Sequence, residues 1–164
     1  MEVTSILKSY EIHSSTMALL PFQSEGGKTM TEVMEEERTL FVEMSPIRII
    51  IESCLFFGST YEGQRDAVRQ SMGYSSLAPI MINGQLGIFF FPVESPKNMT
   101  CIWLSQSHVQ RIEAKETELS RVVFRNGAHI LIPQSRYSLE MKLFRTAQYR
   151  FILSERVSER MIKY

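Results

Sequence analysis

Two cysteines, three histidines and a concentration of basic residues toward the C-terminal end are the side chains of this 164-residue chain that could carry chemistry. A nucleophile would be Cys54 or Cys101, with His13, His108 or His129 as its base. The stretch Trp103-Leu104-Ser105-Gln106-Ser107-His108 brings one histidine near Cys101 along the chain. A thiol–imidazole pair is made by the fold, however, not by closeness in sequence. No nucleophile-elbow or Walker pattern is present, and Phe57 to Gly63 has glycines five apart without the Gly-Lys-Ser/Thr ending that cradles phosphate. The histidines are too dispersed to hold a metal. The sequence thus predicts no enzyme, no catalytic residues, no metal and no cofactor. Both cysteines adjoin apolar runs, Leu55-Phe56-Phe57 and Ile102-Trp103, and are expected as buried, reduced thiols.

The basic residues point elsewhere. Net charge is zero, from 18 basic and 18 acidic side chains, but the charges are unevenly spread. Residues 1–40 carry three basic and seven acidic side chains; residues 121–164 carry nine and three. Such asymmetry suggests a polyanion partner more strongly than net charge does. The candidate contacts are Arg136, Lys142, Arg145, Arg150, Arg156, Arg160 and Lys163, with Arg121 and Arg125 secondary and Arg65 and Arg69 as a competing set. At ~100° per residue, Lys142, Arg145, Arg156, Arg160 and Lys163 share a stripe about 60° wide. Leu139, Leu143, Ala147, Phe151, Val157 and Met161 fall on another side. The pattern predicts an amphipathic helix from Leu139, capped by Ser138, with a basic face.

The elements that would position these residues read mostly as short strands. Strand candidates are Thr16 to Leu20 (stopped by Pro21), Thr31 to Met34, Thr39 to Val42, Ile47 to Ile51, Pro79 to Ile82, Ile88 to Phe91, Cys101 to Leu104, Val109 to Ala114, Leu119 to Phe124 and His129 to Ile132. Asn83 to Gly87 and Asn126-Gly127 read as hairpin turns. Glu35-Glu36-Glu37-Arg38 reads as a solvated connection. Phe56-Phe57 and Phe89-Phe90-Phe91 are expected in the core. One internal helix is expected from a cap at Ser59 or Thr60 to Gly73, and its Gly63 calls for the close approach of another group. The prediction is a single α+β domain over residues 1–164, mainly antiparallel sheet, with one internal helix and the C-terminal basic amphipathic helix. No apolar run reaches membrane-spanning length, and the N-terminus lacks a signal-peptide layout, so a cytoplasmic location is expected.

The stretch from Ser53 to Arg65, Ser-Cys-Leu-Phe-Phe-Gly-Ser-Thr-Tyr-Glu-Gly-Gln-Arg, resembles the signature of the bacterial competence transcription factor family, ComK. Ser9-Tyr10-Glu11, Pro79-Ile80-Met81, Phe89-Phe90-Phe91-Pro92, Trp103-Leu104-Ser105 with His108-Val109, Phe124 with Asn126-Gly127, and Arg145-Thr146-Ala147 agree in order and spacing. The resemblance covers about residues 9 to 150. It implies a cytoplasmic activator of DNA-uptake genes that binds paired A/T-rich boxes of double-stranded DNA, chiefly through the minor groove, as dimers that pair into tetramers. It also implies an adaptor that delivers such proteins to a Clp protease. The adaptor motif of some members, aromatic and aliphatic residues before Pro-Lys, is not found after Phe151. The alternative reading is a shortened, non-activating interaction protein that modulates fuller-length relatives by mixed oligomerisation.

Overall fold

The computed structural model describes residues 6–162. Among the described residues nine strands form two antiparallel sheets: β1 (Thr16–Gln23), β2 (Thr29–Glu35), β3 (Thr39–Val42), β4 (Ile80–Asn83), β5 (Ile88–Pro92), β6 (Trp103–Ser105), β7 (Val109–Glu116), β8 (Leu119–Phe124) and β9 (His129–Ile132). The first six make one sheet in the order β3-β2-β1-β6-β5-β4, and the last three make a second in the order β7-β8-β9. The helices are α1 (Pro46–Phe56), α2 (Tyr61–Met72) and α3 (Arg136–Ile162). The fold is α+β, as the sequence predicts.

The six-stranded sheet is covered on both faces, so its central strands are apolar on alternate and consecutive positions alike. On one face Leu19, Val33, Ile80, Phe90 and Trp103 pack against Ile49, Ile50 and Cys54 of α1. On the other, Met17, Ala18, Phe91 and Leu104 pack against Val109, Ile112, Val122, Phe124 and Ile132 of the small sheet and Leu139 of α3. A third cluster joins α2, β5 and α3 through Val68, Phe89 and Tyr149. Cys54 and Cys101 are buried and unbonded to each other, and burial pushes each thiol up to about 11.

Residues 47–51 are helix, not strand. The Ser45 side chain caps the first turn by accepting from the Arg48 amide at 3.4 Å, and Pro46 stands at the start, where its missing donor costs nothing. Ile49, Ile50, Ser53 and Cys54 then share the buried face. Burial of that face against the sheet outweighs the weak strand preference of the isoleucines. Pro21 does not end β1, which runs on to Gln23. Within β1, only Ala18 and Leu19 pair with β6, so the proline lies past that ladder, where it withholds no hydrogen bond from it. Phe56 is 65% exposed, unlike the buried Phe89, Phe90 and Phe91.

Helix α2 runs between the expected caps, Thr60 and Gly73. A Cβ on Gly63 would lie 2.8 Å from Thr60 Oγ1, the atom that accepts from the Gly63 amide at 3.0 Å. The group that approaches this glycine is therefore its own helix cap. Helix α3 starts three residues earlier than the sequence suggests: Ser135, not Ser138, accepts from the first turn, through the Ser138 amide at 3.1 Å. It then continues unbroken through Ser154 and Ser158.

Glu35 is not part of a solvated turn. The residue is 7% exposed, and its carboxylate accepts from Tyr10 Oη at 2.6 Å and Arg38 Nε at 2.6 Å, with His13 Nε2 at 2.7 Å. Burial alone would raise its pKa, but the hydrogen bonds from Arg38, Tyr10 and His13 outweigh it and hold the carboxyl below its usual range. These bonds fasten the N-terminal segment onto β2, and the Ile12 amide, donating to Ser53 Oγ at 2.9 Å, ties that segment to α1.

The cap and the buried carboxylate each lead to a stability prediction. Thr60→Ala should cost about 1 kcal/mol in the parent chain. In a Gly63→Ala background it should cost much less, because the new methyl already displaces the cap while returning about 1 kcal/mol of helix propensity; a double-mutant cycle of urea midpoints reads the coupling. Glu35 has a folded-state pKa below its unfolded one, so its contribution is complete above the unfolded value and lost as pH falls through the folded one. Glu35→Gln should cost on the order of 1–3 kcal/mol at neutral pH. It should also flatten the decline of stability as pH falls through and below the ordinary glutamate range.

Candidate nucleic-acid interface

The C-terminal segment carries nine of the 18 basic residues, and α3 presents most of them. Leu139, Lys142, Thr146, Tyr149 and Leu153, spaced three and four apart, are buried or half-buried along its seam with the body. Tyr149 meets Phe89 edge-on, with ring centroids 6.2 Å apart, and the Thr146 hydroxyl is absorbed by the Lys142 carbonyl at 2.8 Å. This docking turns the buried face roughly a quarter-turn from the one expected from the apolar residues, keeping Leu139 and Leu143 of that face against the body. Phe151, Val157 and Met161 are exposed, together with Tyr137 and Phe144, and the basic stripe lies beside the seam rather than opposite it.

That placement gives the cations different surroundings. Lys142 is half-buried and donates to Gln134 Oε1 at 2.9 Å and Ser138 Oγ at 2.7 Å. Burial and the nearby Arg145 lower its pKa, and the two hydrogen bonds make it a fastener of the helix start. Arg145 is exposed and stacks over the ring of Tyr74 at 5.0 Å. Arg156 Nη1 donates to Ser71 Oγ of α2 at 2.9 Å. Arg160 is exposed on the last turn. Arg150 turns inward, over Phe89 at 5.8 Å and onto Gln106 Oε1 at 3.2 Å. Lys163 lies outside the described residues.

Among the described residues, none of Lys142, Arg145, Arg150, Arg156 and Arg160 has a carboxylate within salt-bridge distance, whereas Arg65, Arg69, Arg121 and Arg136 each have one. Arg136 Nε meets Glu140 at 2.7 Å, one turn on. Arg121 shares Glu113 with Arg111. Arg69 pairs with Asp66, and Arg65 reaches Glu62 at 3.4 Å while lying over Tyr61. Arg125 Nε is taken by the Ser107 carbonyl at 2.7 Å. The structure thus joins Arg145 and Arg156 to the C-terminal end of α2 through Tyr74 and Ser71. Arg65 faces a different groove, shared with Lys97, Ser75, Ser76 and Ser95. Tyr74 and Ser71 carry no signal in the sequence, because their role is only to hold cations that come from 71 and 85 residues away.

The histidine near Cys101 does not face it. His108 Nδ1 meets Ser105 Oγ at 2.7 Å, and its Nε2 meets Glu36 at 2.9 Å. A serine–histidine–carboxylate row of this kind resembles a hydrolytic triad, but Ser105 is 1% exposed, so its hydroxyl is closed to any substrate. The row braces the β2–β3 turn against the start of β7. Asn126 Nδ2 adds a bond to the Glu36 carbonyl at 2.9 Å from the β8–β9 turn. Among the described residues no three His, Cys, Asp or Glu side chains are grouped to hold a metal ion, and no helix is long and apolar enough to cross a membrane.

Comparison with known proteins places the chain in a family. The family model for the ComK protein matches residues 7–158. The chain is 34% identical over 157 residues to the competence transcription factor of Bacillus subtilis (strain 168), covering 96% of this chain and 81% of that protein. No solved structure matches. A family match over nearly the whole chain, with a relative at this identity and coverage, shows that the chain belongs to the ComK family.

Proposed function

We propose that this protein is a DNA-binding transcription regulator of competence, acting on paired A/T-rich boxes chiefly through the minor groove. Family membership supports the regulatory role, since the Bacillus subtilis relative is a competence transcription factor. The observation that carries the contact surface is the set of cations on α3 left without carboxylate partners. Arg145 and Arg156 are exposed, oriented by Tyr74 and Ser71, and Arg160 extends the same side. Exposed cations pre-ordered in this way contact phosphate without giving up an internal ion pair. A narrow A/T-rich groove concentrates negative potential and attracts arginine. Arg65, Arg69, Arg121, Arg125 and Arg136 would each contact DNA only by sharing or leaving an existing partner. Arg150 and Lys142 act from within the fold, as supports for the helix.

The reading requires more than one copy on two boxes. Tyr137, Phe144 and Phe151 stand exposed at seven-residue intervals along α3, the spacing with which one helix faces another. This face supports assembly with a second copy, and it equally serves the alternative in which the chain forms mixed oligomers with longer relatives without activating transcription. DNA binding by the isolated protein separates the two, because a protein acting only through mixed oligomers gives no electrophoretic shift by itself. The cytoplasm is the location this reading requires, and delivery to a Clp protease by an adaptor remains an expectation from the family resemblance.

Binding to A/T-box duplex should exceed binding to a scrambled duplex at moderate salt. A minor-groove binder should compete with it and major-groove methylation should not; equal affinity for both duplexes would rule out box recognition. Each phosphate neutralised by the protein adds about 0.9 to the steepness of the log–log salt dependence. Arg145→Ala with Arg156→Ala should therefore flatten it by roughly two units on every duplex, while the urea midpoint stays close to the parent value. An unchanged slope would move the interface to Arg65, Arg69 and the strand arginines.

A further inference from the structure

A groove of about 660 Å³ opens between the β4–β5 hairpin, the end of α1 and the second half of α3. Its walls are largely apolar, from Phe57, Met81, Phe89, Leu153 and Val157. Ser59, Asn83, Gln85, Ser154 and Ser158 add neutral polar groups, and among the described residues no carboxylate lines it. The charged side chain in the lining is Arg150. Its guanidinium is placed by three neighbours. It lies over the Phe89 ring, it donates to Gln106, and it rests on the hairpin backbone at Gly87, where a Cβ would collide with it. Gly87 has φ +68°, so both the conformation and the space at this position favour glycine.

A half-buried cation with no carboxylate beside it is costly unless something supplies the negative charge. The DNA reading does not use this arginine, because it faces away from Arg145 and Arg156 into an apolar bay. The volume lies within the range of small-molecule sites, which are mostly apolar with a few placed polar groups. We propose that this groove binds a small amphipathic carboxylate, an aliphatic body against Phe57, Met81, Phe89, Leu153 and Val157 with its head group on Arg150. The carboxylate would complete the half-used fork of the guanidinium, and the ligand would bridge the hairpin to the helix that carries the candidate DNA contacts. This site is independent of the DNA reading, since it occupies a different side of α3 and is measured without DNA.

The test is titration of the full chain with decanoate, decanol and decylammonium below their aggregation concentrations, followed by calorimetry and by thermal shift. Decanoate should bind saturably at one site and at least about 10-fold more tightly than decanol, as a charge-assisted bond to arginine requires, with decylammonium weakest. Arg150→Gln should remove that preference, leaving decanoate no tighter than decanol. Ser154→Trp, at an exposed helix position on the groove wall, should block both ligands without changing the thermal midpoint of the unliganded protein. Equal affinity for decanoate and decanol in the parent chain would overturn the proposal. So would decanoate binding unaffected by either substitution, or tighter binding of the acetylated peptide Leu-Val-Leu-Val, which would assign the groove to an extended peptide beside β4.

Discussion

Three consecutive phenylalanines on β5 belong to three different cores, and the rest of the fold is arranged around that constraint. Phe90 points to α1 with Trp103, Phe91 points to the small sheet, and Phe89 meets Val68 of α2 and Tyr149 of α3. A strand with large side chains on both faces cannot be left with one face in water, so each must be covered. One face takes α1; the other takes the small sheet and the start of α3. Tyr149 covers Phe89, and this contact sets the rotation of α3 about its axis. Everything the helix presents outward, including Arg145, Arg156 and the exposed Phe144 and Phe151, follows from which residue is turned in at position 149.

The basic residues of α3 stay unpaired because few acidic side chains reach them. The three acidic residues of the C-terminal segment are Glu140, Glu155 and Glu159. Glu140 is taken by Arg136 within the first two turns. Neither of the others forms an ion pair with Arg156 or Arg160 among the described residues: each points about 100° away from the arginine that follows it, and Arg156, three residues before Glu159, donates to Ser71 instead. The acidic excess lies in the first 40 residues, where Glu35 and Glu36 are occupied by Tyr10, Arg38, His13 and His108. Charge is thus separated by the fold as well as by the sequence. The cost of like charges along α3 is modest in water, and stacking on Tyr74 and the bond to Ser71 hold two of them in place.

How much was legible in the residues depended on whether the signal was local. Both hairpin turns, at Asn83–Gly87 and Asn126-Gly127, and the caps of α2 at Thr60 and Gly73 were readable because turn and cap chemistry act within four residues. The strand reading of residues 47–51 failed where a sheet built from distant parts of the chain stabilises a helix made of isoleucine. The phase of α3 failed for a related reason. A helical wheel assumes that the apolar side is the buried side, yet Thr146 is buried through a bond to its own helix and Lys142 through bonds to Gln134 and Ser138, while Phe151 is left outside. The α3 arginines are identifiable as residues, but their division into supports and candidate contacts depends on Phe89, Tyr74 and Ser71, which no spacing rule connects to them. The role of Glu35 was hidden in the same way: a run of three glutamates reads as solvated until Tyr10 and His13 are folded against one of them.

The dimensions of α3 restrict how a minor-groove reading can work. A helix with its side chains is about 10–12 Å across, and the minor groove of B-form DNA is about 6 Å wide. Helix α3 therefore does not enter the groove as a recognition helix enters the major groove. It can lie across the groove's edges, with cations reaching phosphates. Arg145 and Arg156 are eleven residues apart, about 16 Å along the axis at ~1.5 Å per residue, enough to reach phosphates on both sides of a groove of that width. A contact of this kind reads the separation of the phosphate walls, not the base edges. Narrowing of A/T-rich segments would then enter the binding energy through the fit between that fixed arginine spacing and the backbone, with the rigid seating of Tyr149 on Phe89 setting the tolerance. Since the minor-groove base code is degenerate, one such contact discriminates weakly. The remaining specificity has to come from a second contact at a fixed distance, which is why the outward face of Tyr137, Phe144 and Phe151 matters to the DNA reading as much as the arginines do.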